Sequence, residues 1–285
     1  MKKIGFIDYY IDEWHANNYP RMIRESALGK DFQVALAWEE TTPAGRITLD
    51  EWCAREGVGK ASSVQQVIDE CDCLVVLSPD NAERHEDLAD LPLKSGKPVY
   101  IDKPIAPSLA AAKRLFDKAA AHNTPMMSCS ALRFGSELEE ALRSPLATAP
   151  ARYVATEGPG IFHIYAIHQI EMLVMVLGTG ATAVLQNGNG AVKNMLVRYN
   201  DDRRASVTLG PGLDFRVYAA QTDEKSVVLN GMNDFFARFM DAMLGFFNTG
   251  VPRVDPCETL EIAALIEAGQ AALDAPDTWV PLPVA

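Results

Sequence analysis

Short apolar runs alternate with amphipathic stretches through the first 130 residues of this 285-residue chain. An uninterrupted apolar run is typical of a strand that is buried on both faces of a parallel sheet. The predicted strands cover Lys2–Ile7, Phe32–Trp38, Leu74–Leu77, Pro98–Ile101 and Met126–Ser130, and helices are predicted near His15–Gly29, over Leu49–Glu56, near Val64–Asp69 and after Ser108. This order predicts a Rossmann-like parallel sheet with right-handed crossovers.

The pattern changes after Ala151, where polar and apolar residues alternate as in a sheet with one open face. Strands are predicted over Met195–Tyr199, Ala205–Leu209, Phe215–Ala220 and Ser226–Leu229, and helices over Asn233–Asn248 and Glu258–Leu273. We therefore predict an α/β domain over residues 1–130 and an α+β domain over 131–285 with a mostly antiparallel open sheet. The last helix and the tail are candidates for packing against the first domain.

Composition narrows the class of ligand. A net charge of -12 and a pI of about 4.9 leave no basic surface for phosphates, so nucleic acid and anionic membranes are poor partners and a small molecule is the better one. Five cysteines predict reduced thiols and a cytoplasmic protein. The Cys71–Cys73 pair has no companion pair, so no metal site is predicted.

Lys103 follows the predicted strand Pro98–Ile101 and lies between Asp102 and Pro104. Ligands of open α/β sheets bind outside the carboxyl ends of the strands. Proline also pushes the preceding residue out of the helical region, so the backbone at Lys103 is expected to be extended or turned. Two interpretations follow, a solvated lysine at the rim of the sheet or a lysine aimed at a ligand.

The order of these motifs resembles the Gfo/Idh/MocA family of nicotinamide-dependent sugar and cyclitol oxidoreductases. The resemblance is carried by Ser78-Pro79, the D-K-P at Lys103, the strand that leads to Arg133-Phe134, the helix with His168 and Glu171, and the P-R-V-D-P-C-E-T-L-E-I-A-A-L-I-E-A run. His15-Ala16 is similar to the family's H-A at the start of its first helix. The resemblance covers nearly the whole chain.

The resemblance implies an oxidoreductase with NAD or NADP as cofactor. Lys103 and His168 would be catalytic, with His168 transferring a proton because its pKa lies near neutrality. The implied cofactor-binding positions are Asp8, Tyr10, His15, Glu39, Ser78, Pro79, Asp102 and Lys103, and the implied substrate-binding positions are Lys103, Arg133, His163 and His168. A homo-oligomer that pairs through the C-terminal sheet is also implied.

Two departures from the family pattern stand out. The first strand should lead into G-x-G-x-x-G, whose glycines let the backbone approach the diphosphate, but Asp8, Asp12 and Glu13 occur in this loop instead. The family's aspartate one helical turn before the histidine is replaced by Ile164. Tyr165, three residues before His168, is a substitute acid or base, or a packed aromatic side chain.

Two functions remain open on the sequence, and a third, a lyase or epimerase with a tightly held or differently bound nicotinamide, lies between them. The first is an NAD(P)-dependent oxidoreductase of a sugar-like or cyclitol-like alcohol. The second is a non-redox ligand-binding or oligomer-partner protein of the same fold that has lost normal dinucleotide binding. Lys103 and His168 occur together, which favours the first, whereas the loop after the first strand favours the second.

Overall fold

A computed structural model describes residues 1–284. The N-terminal part contains a six-stranded parallel sheet of order β3-β2-β1-β4-β5-β6. Its strands are β1 (Lys2–Asp8), β2 (Phe32–Glu39), β3 (Gly59–Lys60), β4 (Cys73–Val76), β5 (Val99–Ile101) and β6 (Met126–Met127). The connecting helices are α1 (Trp14–Glu25), α2 (Leu49–Glu56), α3 (Val64–Glu70), α4 (His85–Leu88) and α5 (Leu109–Ala121).

Local sequence signals set the ends of several of these elements. Helix α2 begins after Thr48, which forms a capping box with Glu51, and ends at Gly57 in the left-handed conformation, with φ 70°. Gly5 in β1 allows close packing of α3, because a Cβ there would lie 2.2 Å from a methyl group of Val67.

The C-terminal part contains a seven-stranded sheet of order β12-β11-β7-β10-β9-β8-β13, in which β7 and β10 are parallel and the other neighbours are antiparallel. Its strands are β7 (Tyr153–Gly158), β8 (Ala181–Gln186), β9 (Lys193–Tyr199), β10 (Arg204–Leu209), β11 (Arg216–Thr222), β12 (Lys225–Leu229) and β13 (Val280–Pro281). The helices are α6 (Ser136–Arg143), α7 (Phe162–Leu177), α8 (Phe235–Thr249) and α9 (Pro256–Leu273). Helices α7 and α9 pack on this sheet and bury its apolar residues.

The chain divides into two compact units. The first consists of Met1–Ala106, Ala111–Ser128 and Phe239–Asp255, and the second of Pro107–Ala110, Cys129–Arg238 and the residues from Pro256 onward. The predicted fold class, a parallel Rossmann-like sheet followed by a mostly antiparallel sheet, is confirmed.

Candidate functional site

The carboxyl ends of β1, β4 and β5 lie side by side in the first unit. Ile7 is paired with Val76, and Val76 with Ile101, so the residues that follow these three strands lie along one edge of the sheet. Three of the candidate residues, Asp8, Ser78 and Asp102, end or follow these strands. Nucleotides and small molecules bind at this edge in open α/β sheets.

Lys103 is held at this edge by Asp102. The Lys103 backbone N–H donates a hydrogen bond of 2.8 Å to Asp102 Oδ1, and the Lys103–Pro104 peptide bond is cis. Lys103 is only 8% exposed. Among residues 1–284 its ammonium group forms no ion pair with a carboxylate. A buried ammonium group without such a partner can donate hydrogen bonds to a ligand.

Asp102 is completely buried and pairs with His15. Its Oδ2 lies 2.7 Å from His15 Nδ1, which is ion-pair distance when the imidazole is protonated, although the angle of the contact is outside the range of a hydrogen bond. Burial alone would raise the pKa of Asp102. The charges of His15 and Lys103 and the hydrogen bonds to Asp102 outweigh this effect and lower the pKa to about 2. Asp102 is therefore an anion at neutral pH, and it fixes both Lys103 and His15.

Glu13 caps α1 with its own side chain. The Glu13 carboxylate accepts a hydrogen bond of 2.6 Å from the His15 N–H and another from the Ala16 N–H, while the Glu13 carbonyl accepts from Asn17. Burial raises the pKa of Glu13 to about 7, against the lowering effects of His15 and the Ala16 amide. These helix N–H groups are the ones that bind the diphosphate of a dinucleotide in a Rossmann fold.

Asp8 is buried beside this cap without a good partner. It is 1% exposed, and the only donors that face its carboxyl group within residues 1–284 are the backbone N–H groups of Tyr9 and Tyr10, at poor hydrogen-bond geometry. Burial is the main reason that the pKa of Asp8 is raised well above its usual value, and the charge of Glu13 adds to it. Asp8 and Glu13, two carboxyl groups whose charged forms are disfavoured by burial, thus lie where β1 meets α1.

Glu39, at the end of β2, holds the neighbouring loops. Its carboxylate accepts hydrogen bonds from the Ile11 N–H at 2.9 Å, from the Leu49 N–H at 3.2 Å and from the Thr42 hydroxyl. In the sequence-based interpretation this acid would bind a ribose hydroxyl. Three hydrogen-bond donors of the chain itself already contact the Glu39 carboxylate.

The remaining candidates of the first unit lie around the same edge. Ser78, two residues after the end of β4, is buried and lies in the left-handed region with φ 86°, an uncommon conformation for a residue with a side chain, and it precedes the buried Pro79. Tyr10 is half-buried under the guanidinium of Arg46, which lies 5.2 Å from its ring centre. The left-handed backbone of Ser78 is strained, and such strain is concentrated at ligand-binding sites.

The diphosphate of a dinucleotide does not fit the loop between β1 and α1 as it is arranged. Glu13 accepts hydrogen bonds from the N–H groups at the start of α1, Asp8 adds a second buried carboxyl group, and Asp102 adds a carboxylate that is an anion at neutral pH. Asp12, by contrast, accepts from Asn17 and from the Ile47 N–H. Like charges at this spacing repel a dianion strongly once water is excluded.

In the second unit, His168 lies on α7 beside Ser130. Ser130 Oγ is 2.7 Å from His168 Nδ1. The His168 ring also contacts Tyr165 edge-on, with ring centres 5.5 Å apart, and Phe215 at 5.8 Å. Tyr165 is 39% exposed, and His163, near the start of α7, is exposed. The hydrogen bond to Ser130 orients the His168 ring.

Arg133 and Glu171 form a buried ion pair in the same unit. Arg133 Nε donates to Glu171, and its Nη2 lies 2.6 Å from Glu258 on α9. Burial lowers the pKa of Arg133, but the two glutamates more than offset this effect and raise it. Glu171 thus pairs with Arg133, and its carboxylate also accepts a hydrogen bond from the Ser130 N–H. Arg133 and Glu171 thereby connect α7, α9 and the segment that carries Ser130.

The structure reveals site residues that the sequence patterns did not point to. Ser130, the partner of His168, is one, and Glu13 as the cap of α1 is another. Glutamate is not among the preferred capping residues, so the sequence carries no capping signal there. The pairing of His15 with Asp102 joins residues 87 positions apart (102 − 15) and depends on strand order.

A family model matches the first unit. Residues 9–129 match the Gfo/Idh/MocA model, described as "Oxidoreductase family, NAD-binding Rossmann fold". No curated protein matches the chain.

Solved structures share the fold over nearly the whole length. UDP-N-acetylglucosamine 3-dehydrogenase from Acidithiobacillus ferrooxidans is 15% identical, with a TM-score of 0.78 over 96% of this chain and 98% of that one. Scyllo-inositol dehydrogenase from Lactobacillus casei, solved with NAD(H) and scyllo-inositol, is 14% identical, with a TM-score of 0.78 over 98% of both chains. The WlbA dehydrogenase from Bordetella pertussis, solved with NADH and UDP-GlcNAcA, is 15% identical, with a TM-score of 0.77 over 99% of both.

These matches confirm the resemblance to the Gfo/Idh/MocA family and the two-part fold. The family match covers residues 9–129, and the three solved structures, at 14–15% identity, share the fold. No helix within residues 1–284 is both long and apolar enough to cross a membrane. The described side chains include no group of three or more His, Cys, Asp or Glu that could hold a metal ion.

Proposed function

We propose, from the resemblance of residues 9–129 to the NAD-binding domain of the Gfo/Idh/MocA oxidoreductases, that this chain is an oxidoreductase of an alcohol group on a sugar-like or cyclitol-like molecule. NAD or NADP is the proposed cofactor, supported by the family description and by solved structures with NADH or NAD. The observation that carries the proposal is the position of Lys103, buried at the carboxyl edge of the sheet and without a carboxylate partner.

In this proposal Lys103 donates hydrogen bonds to the reacting hydroxyl group of the substrate and to the ribose of the cofactor. Asp102 supports this role, because it holds the Lys103 backbone and balances its charge. A positive charge next to a hydroxyl group favours its deprotonation. Because Lys103 is buried, water competes less for its ammonium group than it would for that of a surface lysine.

His168 is the proposed proton acceptor. An imidazole has a pKa near neutrality, and the Ser130 hydroxyl at 2.7 Å orients its ring. Tyr165 is the proposed assisting group, since its ring contacts His168 edge-on and its side chain is partly exposed. His163 is the proposed substrate contact, and Arg133, which already has two carboxylate partners, is proposed to position the segment around Ser130.

A second candidate function is favoured by the loop between β1 and α1. Glu13 and Asp8 occupy the diphosphate position, and Glu39 is surrounded by donors of the chain. A non-redox protein would bind a hydroxyl-rich ligand near Lys103, and it would need neither a free diphosphate site nor a free acceptor for a cofactor ribose in this loop.

Homo-oligomerisation is proposed for either function. The face of the C-terminal sheet with the exposed Tyr218 and Val228 forms a shallow cavity of about 230 Å³.

Calorimetric titration of NADH and NADPH at millimolar concentration separates the two candidates. The oxidoreductase proposal predicts saturable binding of one of them, and Lys103→Met should weaken it at least about tenfold, which corresponds to one charged hydrogen bond. Lys113→Met, at an exposed lysine of α5, is the matched control and should bind as the wild type does. Absence of binding by either dinucleotide would overturn the oxidoreductase proposal in favour of the second candidate.

A further inference from the structure

The N-terminus of α1 already binds a carboxyl group, and that carboxyl group belongs to the chain itself. The N–H groups of His15 and Ala16 both donate to the Glu13 carboxylate, and the Asn17 N–H donates to the Glu13 carbonyl. Glu13 is 4% exposed, so its carboxylate is buried against the helix. A bound phosphate would require the same N–H groups.

The loop around Glu13 is fixed in this arrangement from two sides. The Glu40 and Thr41 N–H groups donate to the carbonyls of Asp8 and Tyr9, which attaches the end of β1 to the end of β2. The Ile11 N–H donates to Glu39, and the Ile11 side chain is fully buried. A change of loop conformation that opened the helix terminus would therefore break several hydrogen bonds and expose Ile11.

A second, independent observation concerns Asp8. Its carboxyl group is 1% exposed and, among residues 1–284, has no side-chain hydrogen-bond donor, so that only the backbone N–H groups of Tyr9 and Tyr10 face it. Asp102 is an anion, because its pKa is lowered to about 2. A dianion entering this region would meet this anion and the buried Asp8 carboxyl group. A neutral group with hydroxyl hydrogens could instead donate to the Asp8 oxygens.

We infer that Glu13 is a built-in substitute for the diphosphate of a dinucleotide, and that the anion site of α1 is closed to phosphate ligands while Glu13 caps the helix. The edge then accepts neutral, hydroxyl-bearing groups and rejects dianions. The Glu13 cap closes only the anion site at the start of α1, and it would do so in a redox and in a non-redox protein alike. A cofactor bound by this chain would have its diphosphate away from the N–H groups of His15 and Ala16.

The test compares ADP with adenosine, which has the same base and ribose but no phosphate. The wild type is expected to bind ADP no more tightly than adenosine in calorimetric titrations at pH 8. In Glu13→Ala, which frees the helix N–H groups, ADP should bind at least about tenfold more tightly than in the wild type, and adenosine should be unchanged. Asp8→Asn combined with Glu13→Gln replaces both carboxyl groups by neutral amides and keeps the shape of the cap. Its gain in ADP affinity over the wild type should be smaller than that of Glu13→Ala.

Glu51→Ala is the matched control, because Glu51 accepts hydrogen bonds from Thr48 at the start of α2 and lies on another helix. It should leave ADP binding unchanged. Equal ADP affinity in the wild type and in the folded variants would overturn the inference. A tenfold preference of the wild type for ADP over adenosine would overturn it as well, because the anion site would then be open. Neither result depends on whether NADH binds, so the oxidoreductase proposal is tested separately.

Discussion

Replacement of Glu13 by glutamine should make the protein less sensitive to alkaline pH. Glu13 has a carboxyl pKa of about 7 in the folded protein, because burial outweighs the charge of His15 and the hydrogen bonds from the helix. The folded state therefore binds a proton that the unfolded state, with a pKa near 4.5, has already lost. This contribution to stability is complete below pH 4.5 and is lost as the pH rises through 7.

The size of the effect follows from the two pKa values. A change in pKa from 4.5 to about 7 corresponds to roughly 3 kcal/mol of unfolding free energy. Glutamine is neutral at every pH and keeps an acceptor for the N–H groups of His15 and Ala16. The variant should match the wild type at pH 5 to within about 1 kcal/mol and exceed it by about 2–3 kcal/mol at pH 8. The thermal midpoint at pH 8 should rise by roughly 5 °C or more.

Urea denaturation at half-unit steps of pH measures this difference directly. The other titratable groups of the edge, Asp8, His15, Asp102 and Lys103, are present in both proteins, so their contributions largely cancel in the comparison. Glu51→Gln is the control at an exposed position, and it should not gain stability at alkaline pH. Parallel stability curves for the wild type and Glu13→Gln between pH 5 and pH 8 would refute the assignment of a buried, destabilised carboxyl group.

Two further predictions concern the second unit. Arg133→Met should lower the free energy of unfolding by about 3–5 kcal/mol, because it leaves the buried Glu171 without its cation, and Arg133→Met with Glu171→Gln should recover part of this loss in the same denaturation assay. Val228→Lys should reduce the sedimentation coefficient if the protein pairs through the C-terminal sheet, whereas an unchanged oligomer would place the contact elsewhere.

The elements with strong local signals could be predicted from the sequence alone. Helix α2 has the predicted ends because Thr48 and Gly57 cap it. The predicted strands of the first sheet have their counterparts in the structure, with ends that shift by up to three residues. By contrast, β3 and β13, which have two residues each, exist only because a longer strand lies beside them. Their sequences carry no signal of their own.

The contacts of the candidate site were harder to predict than its residues. The D-K-P motif and the missing glycines mark Lys103 and the first loop in the sequence. The role of Glu13 as a cap is not visible there, since glutamate is a poor capping residue in general and reaches the helix here through its longer side chain. The partners of His15 and His168 come from distant segments, and only the folded sheet and helices bring them close.

The most direct measurement is the change in backbone amide NMR shifts when NADH is added to the wild-type protein at millimolar concentration. We expect a nicotinamide ligand to bind near Lys103 with its diphosphate away from α1. The amides of Lys103 and Ser78 should then shift on titration, while those of His15 and Ala16 should not. Large shifts at His15 and Ala16 would contradict the closed anion site, and the absence of any shift at Lys103 would contradict the proposed oxidoreductase.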